Sequence, residues 1–134
     1  MVELQDRQAH IRLSKMPHTT PDQVTEFEPD EVKELLEAGR ILLIDVREPA
    51  EFAAERIQGA LLYPLSTFDV TRLPPDEPRQ VVFQCAAGGR SLTAARERLA
   101  HGQPGAHMAG GISEWKAMGL PTIRIDPRTG RAIQ

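Results

Sequence analysis

The sequence lacks several features that would assign it to well-defined classes of protein. It has a single cysteine, Cys85, so no disulfide can form within the chain. Aromatic residues make up only 4% of the 134 residues, and no apolar run approaches the roughly 20 residues that cross a bilayer. The first residues contain no apolar segment typical of a secretory signal. We therefore expect a cytoplasmic protein with no membrane segment.

Clustered positive charge is also missing. The chain has 16 Lys and Arg against 19 Asp and Glu, which gives a net charge of −3, and no basic run stands out. Binding to nucleic acid depends on grouped cations that neutralise phosphates. The sequence therefore predicts no nucleic-acid partner, and it predicts no metal and no cofactor.

The length and composition fit one globular domain. The apolar fraction of 40% is ordinary, and a chain of this size buries a core without disulfide or metal staples. Residues 1–21 are polar and end in Pro-His-Thr-Thr-Pro, which predicts an extension followed by a linker. We assign the domain to residues 22–125 and expect a flexible polar tail at residues 126–134.

Short apolar runs alternate with helical periods from residue 23 onward. The runs predict strands at residues 23–27, 41–44, 60–63, 81–83 and 105–108. Apolar spacing and terminating residues predict helices at 29–38, 90–99 and 112–118, with a helical turn at 49–55 and a proline-rich loop at 73–78. This alternation is typical of βαβ units, so we expect an α/β fold with an open, mostly parallel sheet and helices on both faces.

The cysteine lies where such a fold binds ligands. The apolar run at 81–83 leads into Cys85, and residues 85–91 read Cys-Ala-Ala-Gly-Gly-Arg-Ser before a helix. Small residues let a loop curl with its N–H groups inward, and the helix adds unpaired N–H groups and a positive dipole end. We expect this anion cradle, together with Arg90, to lower the pKa of Cys85 and make it nucleophilic.

Two questions about this loop stay open at the level of sequence. No His or Asp lies near Cys85 along the chain, and the sequence does not say whether one lies near it in space. A lone cysteine is also often a small buried hydrophobic residue, here one that would precede an ordinary Gly-rich turn.

Four elements of the chain, in order, resemble the rhodanese family. They cover about residues 23–123: Asp45-Val46-Arg47 followed by Glu51-Phe52, Ile57-Gln58-Gly59-Ala60, the loop 85–91, and Gly110-Gly111 with Trp115 and Gly119-Leu120-Pro121. One position departs from the family pattern, because Arg56 stands where the family usually has a structural His before Ile57.

The resemblance implies a rhodanese-like sheet of five strands and a two-step sulfur transfer. Cys85 would attack a sulfane-sulfur donor, become a persulfide and pass the outer sulfur to cyanide or a thiol. The partners would be a small sulfur-donor anion and a thiol acceptor, with a sulfur-relay protein as a further partner. The amide cradle would consist of Ala86, Ala87, Gly88, Gly89 and Arg90, with Arg90 facing the anionic donor.

Three further residues take supporting roles in this reading: Asp45, Arg47 and Ser91. We expect Asp45 near the loop and Arg47 paired with Glu51, the latter as a structural ion pair. Gly110, Gly111 and Trp115 are interpreted as fold residues, because glycines permit close backbone approach.

The cysteine loop fits other classes of protein less well. Cysteine phosphatases and arsenate reductases also use a Cys-to-Arg loop, but their loops carry one residue more than the four, Ala86–Gly89, found here. A non-catalytic rhodanese-like binding module typically lacks the cysteine. The mercaptopyruvate branch of the family has a different loop sequence. The sequence does not distinguish thiosulfate from a persulfide as donor.

Overall fold

The computed structural model describes residues 23–133, and the predicted extension at 1–21 lies outside this range. In chain order the elements are β1 (Thr25–Phe27), α1 (Pro29–Glu37), β2 (Ile41–Asp45), α2 (Pro49–Ala54), β3 (Glu55–Arg56), β4 (Leu61–Leu62), β5 (Gln80–Gln84), α3 (Gly89–Ala100), β6 (Ala106–Met108), α4 (Gly111–Ala117), β7 (Ile123–Ile125) and β8 (Ala132–Ile133). The proline-rich segment at 73–78 contains no helix or strand. The predicted strands and helices are all present within a few residues, whereas β3, β7 and β8 were not predicted.

Five strands form the main sheet in the order β1-β6-β5-β2-β4, and all of their pairings are parallel. Helices α1 and α4 contribute Val32 and Trp115 to the core on one face of this sheet. Helix α3 contributes Ala94 and Ala95 to a second core on the other face. The predicted α/β fold with helices on both faces is confirmed.

The central strands explain why the sequence shows continuous apolar runs rather than alternation. Leu43 in β2 belongs to one core cluster, and its neighbour Ile44 belongs to the other. Val82 and Phe83 in β5 divide between the two clusters in the same way. A strand covered on both faces needs apolar residues at every position.

The sheet brings the ends of β2 and β5 together at one edge. Asp45 lies opposite Gln84 in the parallel register, and the Val46 N–H donates to the Gln84 carbonyl over 2.9 Å. Cys85 follows Gln84 directly, so the segment after β2 and the cysteine loop emerge side by side. This edge is where ligands bind in open α/β sheets.

The C-terminal segment differs from the predicted loose tail. Strand β8 pairs with β7 in a hairpin, and β7 pairs with β3, so that all three form a small antiparallel sheet. Gly130 takes a positive φ of 71° in the turn, and the Asp126 N–H donates to the Arg131 carbonyl over 2.8 Å. The sequence did not predict this hairpin, because its strands are only three and two residues long and their side chains are exposed or half-buried.

Within residues 23–133, no helix combines the length and the apolar character that crossing a membrane requires.

Candidate active site

The cysteine loop is shaped by one glycine in a left-handed conformation. Gly88, the residue before α3, has φ 108° and ψ −17°. A Cβ on Gly88 would also lie 3.3 Å from the Gly110 nitrogen, a tight contact with a backbone atom. Gly89, the first residue of α3, has no neighbour within 4 Å of a Cβ position. Gly88 is therefore the position where the loop requires glycine.

The curled backbone directs N–H groups at the cysteine sulfur. The Gly88 N–H lies 3.1 Å and the Ser91 N–H 3.3 Å from the Cys85 Sγ. The Ser91 hydroxyl oxygen lies 3.6 Å from the same sulfur. Cys85 itself is 1% exposed, although Ala87 and Gly89 beside it are exposed. The sulfur thus lies at the bottom of a cradle made of backbone donors.

These contacts lower the pKa of Cys85 below its ordinary value. Burial of the sulfur raises the pKa, but hydrogen bonds from the Ser91 hydroxyl and from the Ser91, Gly88 and Ala87 N–H groups outweigh it. The first turn of α3 supplies part of this set, as the sequence predicts. The cradle therefore favours the thiolate.

Helix α4 holds the loop from the opposite side. The Ile112 N–H donates to the Cys85 carbonyl over 2.8 Å, and the Ser113 N–H donates to the Ala86 carbonyl over 3.0 Å. A Cβ on Gly111 would overlap the Cys85 carbonyl oxygen. The interpretation of Gly111 as a residue of close backbone approach is confirmed, and the backbone it approaches is that of the cysteine loop.

Arg90 lies at the start of α3 and pairs with a carboxylate. Its Nη1 and Nη2 donate to the two carboxylate oxygens of Glu51 over 2.8 and 3.0 Å. The hydrogen bond from Arg90 is the largest cause that lowers the pKa of Glu51 to about 2, against the opposing effect of burial. Arg90 thus carries a bound counterion at the rim of the cradle.

The expected ion pair between Arg47 and Glu51 is wrong. Arg47 binds Asp45 through its Nε and through its Nη2, which lies 2.8 Å from Asp45 Oδ2, and it also donates to the Glu55 carbonyl over 2.7 Å. Both side chains are buried, with exposures of 6% and 0%. Glu51 lies on α2, where its carboxylate accepts from the Glu48 N–H and pairs with Arg90, while the charge of Arg47 only adds to the lowering of the Glu51 pKa.

Asp45 lies at the carboxyl end of β2, next to the strand that carries Cys85. Its Oδ1 accepts from the Arg47 N–H over 3.0 Å, and both carboxylate oxygens contact the Arg47 side chain. Asp45 and Arg47 therefore form a buried structural pair beneath the edge of the sheet, separate from the donors that surround the sulfur.

Two residues that the sequence did not single out extend the site behind Ser91. The Ser91 Oγ lies 2.8 Å from His107 Nδ1, and His107 Nε2 lies 3.0 Å from Glu26 Oε2. His107 is buried in β6, whereas the Glu26 side chain on β1 is 57% exposed. The spatial neighbour of Cys85 left open by the sequence is thus a histidine reached through a serine.

Comparison with known proteins assigns the chain to a protein family. The Rhodanese-like domain family matches residues 28–118, which include the cysteine loop and both of its supporting helices. The chain belongs to this family. The predicted resemblance is confirmed.

Several known proteins are similar to this chain over 62% to 81% of its length. An uncharacterized protein of Synechocystis is 36% identical over 110 residues, 81% of this chain and 61% of its own. A sulfurtransferase of Allochromatium vinosum is 33% identical over 62% of this chain and 78% of its own. The human thiosulfate:glutathione sulfurtransferase is 34% identical over 63% of this chain and 87% of its own.

The fold agrees with these sequence relationships. The crystal structure of a rhodanese-related protein from Thermoplasma volcanium aligns with a TM-score of 0.64 at 25% identity, over 72% of this chain and 95% of its own. The match spans about three fifths of the Synechocystis relative, 61% of its length. In the part of the chain that the structure describes, no group of three or more His, Cys, Asp or Glu side chains is placed to hold a metal ion.

Proposed function

We propose that this protein is a sulfurtransferase that moves sulfane sulfur from thiosulfate or a persulfide to cyanide or a thiol through a persulfide on Cys85. The observation that supports this most directly is the set of N–H groups from Gly88 and Ser91 at 3.1 and 3.3 Å from the Cys85 sulfur. Fixed donors of this kind stabilise an anionic sulfur without reorganising when the charge develops.

The chemistry proceeds in two displacements. The Cys85 thiolate attacks the outer sulfur of thiosulfate, the new S–S bond forms, and sulfite leaves with the electrons of the bond that breaks. Cyanide or a thiolate then attacks the outer sulfur of the Cys85 persulfide and regenerates the Cys85 thiolate. The negative charge lies on sulfur in both the Cys85 thiolate and the Cys85 persulfide, and the same N–H groups stabilise both anions.

The small residues of the loop suit the approach of a donor. Cys85 is buried, and Ala87 and Gly89 form the exposed side of the loop above it. A donor that approaches from this side meets little side-chain bulk, and Arg90 at the rim offers it positive charge. We include Ala86–Arg90 in the donor site on this basis.

Similarity to the Allochromatium and human sulfurtransferases supports this assignment. The name of the human protein favours thiosulfate as donor and glutathione as acceptor. A sulfur-relay protein as donor would use the same chemistry. Cytoplasmic location is part of the same proposal, because a reducing compartment keeps the single cysteine free.

A phosphatase-like reaction fits the site less well. The loops of such enzymes carry five residues between Cys and Arg, whereas four, Ala86–Gly89, separate Cys85 from Arg90 here. A purely binding module, the other alternative, has no need of the donors that lower the pKa of Cys85.

The assay that tests the proposal measures thiocyanate formed from thiosulfate and cyanide, and glutathione persulfide formed from thiosulfate and glutathione. An aryl phosphate is assayed on the same preparation. We expect turnover in at least one sulfur assay and none with the phosphate. Phosphate hydrolysis that depends on Cys85, without sulfur transfer, would reverse the assignment.

A further inference from the structure

A row of four polar groups runs from the cysteine to the protein surface. It begins at the Cys85 Sγ, passes through the Ser91 Oγ at 3.6 Å and His107 Nδ1 at 2.8 Å, and ends at Glu26, whose Oε2 lies 3.0 Å from His107 Nε2. Cys85, Ser91 and His107 are all buried. From Cys85, which follows β5, the row passes to Ser91 on α3, then to His107 on β6 and to Glu26 on β1.

The resting protonation pattern follows from the end of the row. The Glu26 carboxylate accepts a hydrogen bond, so His107 Nε2 carries a proton and Nδ1 of the neutral ring is left as an acceptor. The Ser91 hydroxyl lies 3.2 Å from the Gly88 carbonyl oxygen and 2.8 Å from His107 Nδ1; it then donates to the nearer acceptor, Nδ1, and its oxygen can accept from the Cys85 thiol. Each group donates to the next one, in the direction from the sulfur to Glu26.

Ionisation of Cys85 disturbs this pattern. A thiolate keeps the Gly88 and Ser91 N–H donors but can no longer donate to the Ser91 hydroxyl. A hydroxyl directed at His107 has no proton to offer the sulfur. If the thiol proton left for solvent, the sulfur would face the lone pairs of Ser91. If the proton enters the row, every hydrogen bond survives with its direction reversed between the sulfur and the imidazole.

We propose that the Cys85 proton is retained within the protein when the thiolate forms, with His107 as its acceptor through the Ser91 hydroxyl. The thiol proton passes to Ser91 Oγ and the hydroxyl proton passes to His107 Nδ1, so charge and atoms balance. The product is a thiolate and an imidazolium separated by one hydroxyl, with Glu26 as the counterion of the imidazolium. His107 is a positioning residue in this scheme, and the inference rests on the proposed function of Cys85.

The charged groups around His107 shift its pKa in opposite directions. Burial lowers the pKa of His107 below its ordinary value, Glu26 partly offsets this, and Arg96 on α3 lowers the pKa further. An imidazolium with no thiolate nearby is therefore disfavoured. A thiolate at Cys85 adds a second negative charge beside the ring, so the two charged forms appear together.

The test compares two signals in the full chain without any sulfur donor. Nitrogen-15 NMR reads the protonation of the His107 ring, and ultraviolet thiolate absorbance reads Cys85, both as functions of pH. We expect His107 to remain an imidazolium over the pH range in which the thiolate is populated, and to be neutral over that range in Cys85→Ser. A neutral His107 ring in the thiolate form would overturn the proposal.

A matched pair of variants gives a second readout. His107→Asn is expected to raise the pKa of Cys85 by about one unit, which reduces the thiolate fraction about tenfold below that pKa. His101→Asn changes an exposed histidine directly after α3, the helix that carries Ser91, and should leave the thiolate titration unchanged. A titration of His107→Asn that matches wild type, or moves to lower pH, would contradict a retained proton.

These readouts separate the inference from the proposed function. Wild-type protein that transfers sulfur while His107 stays neutral would retain the proposed function and lose the relay. Coupled titration in a protein that transfers no sulfur would keep the relay and lose the sulfurtransferase assignment. If His107→Asn fails to fold, the NMR comparison between wild type and Cys85→Ser still shows whether His107 holds the Cys85 proton.

Discussion

Arg90 and Glu51 form a two-point ion pair at the rim of the cysteine cradle, with hydrogen bonds of 2.8 and 3.0 Å. Both side chains are 37% exposed, so solvent reaches the pair. The negative charge of Glu51 lies near the path of any anionic donor. The pair therefore reduces the positive charge that Arg90 alone would present, and donor selectivity should respond to both residues.

Arg90→Ala is expected to lower kcat/KM for thiosulfate about tenfold, because it removes a charge-assisted contact and leaves the Glu51 carboxylate to repel the anion. The loss for a neutral organic trisulfide should be smaller. Glu51→Gln should raise kcat/KM for thiosulfate, since Arg90 then keeps its full charge. An equal loss for both donors in Arg90→Ala would indicate that Arg90 shapes the loop instead.

The same pair makes stability depend on pH in the acid range. The pKa of Glu51 falls from 4.5 to about 2 in the folded protein, mainly through the hydrogen bond from Arg90. A depressed carboxyl pKa contributes stability that is present above pH 4.5 and is lost as the pH falls toward 2. The melting temperatures of wild type and Glu51→Gln should therefore differ most above pH 4.5 and converge below it. A difference that stays constant with pH would contradict this assignment.

Two adjacent glycines of the loop should behave differently. Gly88→Ala forces a side chain into a positive-φ position at a cost of about 1–3 kcal/mol and crowds Gly110, so it should displace the N–H groups that face the sulfur. Gly89→Ala, the matched control, adds a methyl in open space. Iodoacetamide alkylation of Cys85 near neutral pH should slow in Gly88→Ala alone. Equal rates in both variants would contradict the amide-cradle account.

Arg47 should matter for stability rather than for sulfur chemistry. Arg47→Ala leaves Asp45 as a buried unpaired carboxylate, which is expected to cost about 3–5 kcal/mol in urea unfolding. Arg72→Ala breaks a pair whose side chains are 79% and 48% exposed, and its unfolding free energy should change by no more than about 0.5 kcal/mol. Alkylation of Cys85 in folded Arg47→Ala should proceed at nearly the wild-type rate. An Arg47→Ala protein as stable as wild type would refute the structural role.

The parts of the fold that the sequence predicts are those with local signals. Apolar runs define β2 and β5 because strands buried on both faces tolerate few polar residues. The cysteine loop is predicted equally well, since its small residues and the start of α3 follow one another in the sequence. The β7–β8 hairpin was missed because strands of three and two residues are too short to show an apolar run or an alternating pattern.

The residues that the sequence did not reveal are joined across long stretches of chain. Ser91 and His107 are 16 positions apart, and His107 and Glu26 are 81 positions apart. A buried histidine on a short strand resembles any other core residue until the neighbouring strand is known. The Arg47–Glu51 prediction failed for a related reason: the family resemblance suggested a partner four positions along the chain, whereas Glu51 on α2 binds Arg90, 39 positions away.

The most direct test of the account is the intact mass of the protein after exposure to thiosulfate, under conditions that exclude free thiols. Wild type is expected to gain the mass of one sulfur atom, and the added sulfur should be lost when cyanide is supplied. Cys85→Ser should gain nothing, because the hydroxyl cannot carry sulfane sulfur. Failure of wild type to gain sulfur from thiosulfate, glutathione persulfide or polysulfide, or an equal gain in Cys85→Ser, would contradict the claim that Cys85 carries the transferred sulfur.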